Sequence, residues 1–403
     1  MNTFDIGIVG SGVAGTFAAY KIAKEHKNLK VVLFDLGRPP AKRRRQLEGF
    51  FGVLPNSDGK FYLNDIEKIS HVVGSRKAKA SSKYVSNVLR NVSDFKTIKD
   101  KAPSVSMLKK IDKFGYTFNL NDHIQIYPKE IHALSKFVAE GIESAQNITF
   151  NFDDEVKGIT KQKNVFHVQT ETKEIKCKKV LIAVGRSGWR WASDLYSKFG
   201  IIESNNVARY GIRIELPSSS VKDFNKSNCT LLKGDDLEIG PLSWYGTVIP
   251  EDHVDLAISA FRSNENRWKS DKVSFSFIGN RPVESNGFEQ TDRIGKLTFV
   301  LSNDRIVKEK VSTIFAGKSK ISIIKEYSWL ADELQALSSV IPDVLTKAYF
   351  HVPTILPLVP EINIGEDLST EIPGLYVAGE SAGITGILAA AATGSIAGSE
   401  MCK

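Results

Sequence analysis

Apolar positions along this chain fall into two rhythms, and the rhythm changes with position. Phe4 to Val9 is a short apolar run that ends in glycines. Thr16 to Glu25 follows with helical spacing, and Val31 to Phe34 is a second apolar run. Strand, helix and strand in that order predict a parallel βαβ unit. Residues 66–110 are polar and basic, with helix-spaced Val85, Val88 and Leu89. Residues 129–145 carry Ile131, Leu134, Phe137, Val138 and Ile142 on one stripe, which predicts an amphipathic helix. Strand-like runs follow at 148–152, 165–168 and 180–184. From about 205 to 325 alternation takes over, at Tyr210–Leu216, Leu256–Phe261, Val273–Ile278 and Leu297–Leu301. Helical spacing returns at Trp329–Ser339 and Pro342–Phe350, and the chain closes with a strand, a glycine turn and a small-residue helix from Gly374 onward. The expected fold class is α/β. A Rossmann-like domain, a parallel sheet with helices, is built from 1–204 and 350–403, and a second, mostly antiparallel β domain spans 205–349.

The first turn carries chemistry. Gly10-Ser11-Gly12-Val13-Ala14-Gly15 fits G-x-G-x-x-G between strand and helix, and the second strand ends on Asp35. Gly10 permits a tight turn, Gly12 lets the backbone approach a pyrophosphate, and Gly15 lets helix and strand pack closely. The helix N-terminus then offers free N–H groups to phosphate oxygens. Asp35 is the expected acceptor for ribose hydroxyls, with Leu36 beside it. Arg38 and the run Lys42-Arg43-Arg44-Arg45 follow, with Arg43 the candidate phosphate contact. A glycine-rich turn in an ordinary α/β protein is the competing reading.

Charge alters this picture in one place. The chain of 403 residues has a formal net charge of +8. Residues 1–110 hold 21 Lys+Arg against 9 Asp+Glu, a net of +12, so the remainder is net −4. That asymmetry makes a nucleic-acid partner, or a substrate carried on one, an alternative. A phosphate-bearing cofactor with ordinary solvated lysines also accounts for it, and no nucleic-acid motif accompanies the charge. Cys177, Cys229 and Cys402 are far apart and form no C-x-x-C, which argues against a disulfide framework, a zinc site or a dithiol couple. No apolar run is long enough to span a bilayer, and the start lacks signal-peptide character. The expectation is a cytoplasmic protein with no metal.

Two more segments repeat the strand-into-glycine pattern. One is Val180-Leu181-Ile182-Ala183-Val184-Gly185-Arg186-Ser187-Gly188. The other is Leu375-Tyr376-Val377-Ala378-Gly379-Glu380-Ser381-Ala382-Gly383-Ile384-Thr385-Gly386, followed by a helix of alanines and glycines. Together with the first turn they resemble the FAD-binding core of the glutathione-reductase-type flavoproteins. The resemblance implies that Ala183 and Gly185 lie beside the nucleotide. It implies that Gly379 and Glu380 lie near the ribityl chain, with Glu380 accepting from a hydroxyl. It also implies that Gly383, Ile384, Thr385 and Gly386 lie at the pyrimidine end of the flavin, where helix N–H groups suit the negative charge of a reduced ring. The small residues of 388–398 would let that helix approach a flat ring. In detail the chain resembles the loosely characterised predicted NAD(FAD)-utilising dehydrogenases, whose loop is similar to Ser57-Asp58-Gly59-Lys60. It departs from them at Gly49-Phe50-Phe51-Gly52-Val53-Leu54-Pro55-Asn56, which leaves that family's substrate chemistry open here.

Such a cofactor makes the chain an FAD-dependent oxidoreductase, a dehydrogenase or oxidase passing a hydride between an organic substrate and flavin N5. A flavin-binding protein without catalysis is a further alternative. No second G-x-G-x-x-G is present for a pyridine nucleotide, so NAD(P)H is expected at most as a transient reductant. Substrate contacts are expected from the alternating region: Arg209, Tyr210, Arg213, Trp244, Tyr245 and His351. Arg213, Tyr245 and His351 are the candidates for chemistry. Arg213 suits a carboxylate or phosphate clamp, and an ion pair with Glu215 is the competing reading. His351 suits a base, and a core histidine competes.

Overall fold

In the first unit, the strand Phe4–Val9 lies between Val31–Asp35 and Glu174–Ile182, parallel to both. Ile148–Phe152 extends the sheet beyond Val31–Asp35, again parallel. Leu375–Val377 joins the end of Glu174–Ile182 in parallel, while Val165–Thr170 and Val156–Gln162 add an antiparallel flank. Ile6–Val9, Val31–Phe34 and Val180–Ile182 are buried, which is why they read as continuous apolar runs. The structure is a computed structural model that describes residues 3–39, 42–43, 47–202, 206–252, 257–262, 269–284, 286–303, 305–355 and 361–403. Arg44, Arg45 and Leu256, named above, lie outside the described residues.

The order of these strands decides where a ligand goes. The chain leaves Phe4–Val9 toward one side of the sheet and later returns on the other, so a switch point sits at the end of that strand. Register aligns the ends: Val9 pairs with Phe34 and Ile182, and Ile182 pairs with Val377. The three motifs therefore leave the sheet from one edge. Two helices lock them together. Val13–Glu25 follows the first turn and Ile387–Glu400 follows the third. They cross at small residues, so closely that a methyl on Gly398 would stand 2.8 Å from the Ala18 carbonyl oxygen. Gly394 and Gly398 serve this crossing with the first helix.

The chain divides into two units: Met1–Thr97, Ile124–Ser204 and Val359–Lys403 form one, and Ile98–His123 with Asn205–Leu358 form the other. Two stretches thus leave the expected first domain. Thr117–Asn119 pairs with Thr230–Lys233, and Tyr349–Ile355 pairs with Val207–Pro217, so hydrogen bonding places both in the second unit.

That second unit is built on an antiparallel sheet around Val207–Pro217, flanked by Lys272–Pro282 and Tyr349–Ile355. One face is apolar and fully buried, with Ile212, Ile214, Phe275, Phe277 and Phe350. Trp329 stacks on Phe277 there, centroids 5.9 Å apart. Leu297–Leu301, expected as a strand, is the end of the helix Gly287–Leu301. The buried positions Phe288, Thr291, Ile294, Gly295 and Thr298 follow helical spacing, and the Asn286 side chain caps the start at 3.0 Å. The helix expected over Pro342–Phe350 is one short turn, Pro342–Val344, before the chain enters its strand. Among the described residues no helix is long and apolar enough to cross a membrane.

Candidate functional site

The first turn is made by backbone packing. Gly10 has φ +98, and a Cβ there would meet the Ala183 carbonyl oxygen at 2.5 Å and Val184 Cα at 2.9 Å. Fingerprint and second motif thus meet main chain to main chain. A Cβ on Gly15 would overlap the Gly10 carbonyl, which holds the helix against the strand. Gly12 differs. A Cβ there would touch nothing nearer than Ala183 O at 3.9 Å. Gly12 is the N-cap of Val13–Glu25, a helix with no side-chain cap and no acid in its first turn. The space above Gly12 and the uncapped N-terminus form a cradle suited to a phosphate group. Val13 and Ala14 are buried beneath it.

The third motif joins this cradle. A methyl on Gly379 would lie 3.1 Å from Ala14 Cβ, and Gly379 N donates to Thr393 Oγ1 at 3.0 Å. Gly383 N and Ile384 N donate back to Glu380 O and Gly379 O, forming a compact turn. Tyr196 Oη donates to Ser381 O at 2.7 Å, tying the helix Trp189–Phe199 to the same turn. Thr385 and Gly386 lead into the last helix, with Gly386 as its N-cap. Gly10–Gly15, Ala183–Gly185 and Gly379–Gly386, far apart in sequence, therefore share one edge of one unit.

Three candidate side chains are held by partners within the chain. Asp35 was expected to accept from ribose hydroxyls. Instead its Oδ2 accepts from Ser11 N and Ser11 Oγ, each at 2.7 Å, and its Oδ1 from Gly37 N at 2.7 Å and Gly49 N at 2.9 Å. Four donors fill the lone pairs of a carboxylate, so Asp35 pins the turn to the 37–49 loop. Leu36, its neighbour, is exposed. Arg43 was expected on phosphate. It donates to the Phe50 carbonyl at 2.6 Å and also to the Gly52 carbonyl, and burial lowers its guanidinium pKa to about 10. It fixes the departure loop, where Phe51 at φ +66 packs edge-on against Phe17 and Phe50. Glu380 was expected on a ribityl hydroxyl. It is held by Arg186, Nη2 to Oε1 at 2.8 Å and Nε to both oxygens at 3.2 and 3.3 Å. No sequence signal marks Arg186, which reads as one residue of a glycine turn.

In the second unit the candidates separate. Arg213 and His351 are register partners on neighbouring strands, and Glu215 lies two residues along on the same face. His351 Nε2 stands 3.7 Å from Glu215 Oε2, and Lys272 Nζ bonds Glu215 Oε1 at 2.7 Å. Burial raises the Glu215 carboxyl, but His351 and Lys272 more than offset it, to about 2. Burial lowers the His351 imidazole pKa, against the pull of Glu215. Ser274 and Ser276 complete a buried polar face. Arg209 instead bonds Asn280 and Glu238, and Tyr210 donates to Glu326 O. Trp244 Nε1 donates to Ser227 O, and Tyr245 lies against Trp244 and Lys226.

Residues 4–190 match the profile of a family described as "Pyridine nucleotide-disulphide oxidoreductase". With the dinucleotide-binding turn in place, the chain reads as an FAD-dependent oxidoreductase. No curated protein sequence matches it. Among solved structures, a glycine oxidase from Geobacillus kaustophilus is 13% identical, with 98% of this chain and 93% of that one covered at TM-score 0.43. An L-alpha-glycerophosphate oxidase from Mycoplasma pneumoniae, solved with FAD bound, is 13% identical, covering 100% and 95% at TM-score 0.48. A flavoprotein/dehydrogenase from Cytophaga hutchinsonii is 12% identical, covering 99% and 78% at TM-score 0.42. The dithiol chemistry in the matched family's description has no counterpart among Cys177, Cys229 and Cys402, which are free, and burial pushes the Cys177 thiol up to about 12.

Proposed function

We propose that this chain is a glutathione-reductase-type flavoenzyme that transfers a hydride between an organic substrate and FAD, without a dithiol relay. The observation that carries this is the convergence of Gly10–Gly15, Ala183–Gly185 and Gly379–Gly386 on one sheet edge, with space above Gly12 that no side chain among the described residues enters. The donor set fits the cofactor. Main-chain N–H groups at the start of Val13–Glu25 would hold the pyrophosphate, and those of Ile387–Glu400 would face the flavin. Bound FAD supplies a two-electron carrier whose N5 accepts or returns a hydride. Asp35 and Glu380 act one step back, by fixing the turns that carry those N–H groups.

The substrate-facing candidates are Arg213 and His351, with Glu215. Arg213 would orient an anionic group. His351, kept neutral by burial, would take a proton, with the Glu215 carboxylate 3.7 Å from its Nε2 to favour the charged ring. NAD(P)H enters this reading only as a transient reductant.

The test begins with purified protein. It should carry flavin absorbance or take up FAD on reconstitution, and an anaerobic screen of hydroxy acids, amines and NAD(P)H should find a donor that bleaches it. A colourless protein that takes up no FAD overturns the proposal. Flavin that no donor bleaches favours the non-catalytic alternative.

A further inference from the structure

One helix of the first unit carries charge of a single sign. Ser75–Arg90 holds Arg76, Lys77, Lys79, Lys83 and Arg90 and no acid. Its apolar side, with Ala78, Val85, Val88 and Leu89, is buried. Lys77 is taken up by neighbours, the Glu400 carboxylate at 3.3 Å and the Glu366 carbonyl at 3.1 Å. The other four cations are exposed and, among the described residues, form no ion pair. They stand three, four and seven residues apart, which sets them on one stripe of the helix. From Arg76 to Arg90 that stripe is about 21 Å long at the helical rise.

Cations held in line repel one another, and an anion running beside them relieves the repulsion. The flanks of the stripe narrow the choice of anion. Ala80 and Asn87 are the other exposed residues of the helix, so there is no large apolar anchor of the kind that seats a partner protein. The helix's apolar side lies in the core, so none of it is left to enter a bilayer. Tyr84, the helix's one aromatic residue, is half-buried with Lys21 Nζ 4.1 Å over its ring, a poor platform for an unpaired base. What remains is charge in a row, the complement of a phosphate backbone. At about 3.4 Å per phosphate, the stripe faces about six phosphates of one strand. We propose that Arg76, Lys79, Lys83 and Arg90 dock the phosphate backbone of a nucleic-acid duplex. Contacts of this kind position a protein on the duplex and read no base. The stripe needs no flavin, so its test is independent of the FAD reading.

The experiment titrates the full-length protein into fluorescently labelled DNA and RNA duplexes of about 20 base pairs, read by anisotropy across a range of salt. Four phosphate contacts give log Kobs against log salt a slope of about −3.6, a loss of about 150-fold between about 50 and 200 mM. The triple variant Lys79→Gln, Lys83→Gln, Arg90→Gln should flatten that slope by about 2.7. A second triple variant, Lys109→Gln, Lys110→Gln, Lys113→Gln, removes the same charge from exposed positions of Val105–Lys113 in the second unit. It should change the slope by less than about 0.9, one contact. Glutamine keeps helix propensity, and thermal unfolding of each variant checks the fold. Stripe-dependent binding of either duplex supports the proposal, and the tighter of the two identifies the nucleic acid. Wild type that binds neither duplex at low salt overturns it, whatever the variants do. Equal flattening by both triple variants also overturns it, because the contact would then be diffuse charge. Phosphatidylcholine–phosphatidylserine vesicles that displace the duplex, and that the stripe variant no longer binds, would assign the face to a membrane and overturn it as well.

Discussion

Gly12 and Gly10 stand two residues apart, yet alanine should affect them in opposite ways. At Gly10 the substitution places a side chain at φ +98 and within 2.5–2.9 Å of the Ala183–Val184 backbone. The conformational strain costs about 1–2 kcal/mol, and the overpacking about 1–3 kcal/mol. Gly10→Ala should therefore lose about 2–5 kcal/mol of stability, and FAD binding with it. At Gly12, φ is −61 and the new methyl meets nothing nearer than 3.9 Å. The fold should lose at most about 1 kcal/mol, the difference between glycine and alanine as an N-cap. That methyl, however, enters the space assigned to the pyrophosphate. If it displaces two charge-assisted hydrogen bonds of about 1.5–3 kcal/mol each, FAD binding falls about 10²- to 10⁴-fold. Thermal unfolding of the apoproteins and flavin-fluorescence titration with FAD separate the two effects. Gly12→Ala that binds FAD within threefold of wild type would refute the placement of the cofactor. Gly10→Ala with unchanged stability would refute the packing argument.

Asp35→Asn should destabilise by about 2–4 kcal/mol in denaturant unfolding, because an amide N–H₂ must face a backbone N–H on one side of the present four-donor cage. Arg186→Ala should cost about 1–2 kcal/mol by releasing Glu380, and Glu380→Gln should cost less, since one oxygen still accepts from Arg186. Phe51→Ala should cost about 3–5 kcal/mol through lost packing on Phe17 and Phe50, read as a lower melting temperature. Glu215 has its folded pKa lowered from 4.5 to about 2, so its stabilisation is complete above pH 4.5 and disappears as pH falls toward 2. Glu215→Gln should therefore cost about 2 kcal/mol at pH 7, and the gap to wild type should close across that window in denaturant midpoints measured at each pH.

What the sequence revealed follows from what each signal depends on. The βαβ unit, the two later glycine turns and the alternating middle are local patterns, set by pleat, helical spacing and turn chemistry. Their boundaries came close for the same reason: Val31–Asp35, Ile148–Phe152 and Leu330–Ser338 all follow the apolar runs. Leu297–Leu301 was misread because a short apolar run suits strand or helix alike, and the deciding residue, the Asn286 cap, lies well upstream. Tyr349–Ile355 pairs with Val207–Pro217, which lies far earlier in the chain, so no local pattern announces that partner. The acids follow the same logic more sharply. Asp35 and Glu380 occupy the positions that a motif reserves for ribose and ribityl contacts, but the motif does not include Ser11 Oγ, Gly49 N or Arg186, which hold them. Main-chain recognition leaves glycines as a trace in the sequence, because close approach forbids a Cβ. Side-chain recognition leaves no comparable trace, because a carboxylate's partners are chosen in three dimensions. The first kind of contact was therefore legible here, and the second had to be read from hydrogen bonds.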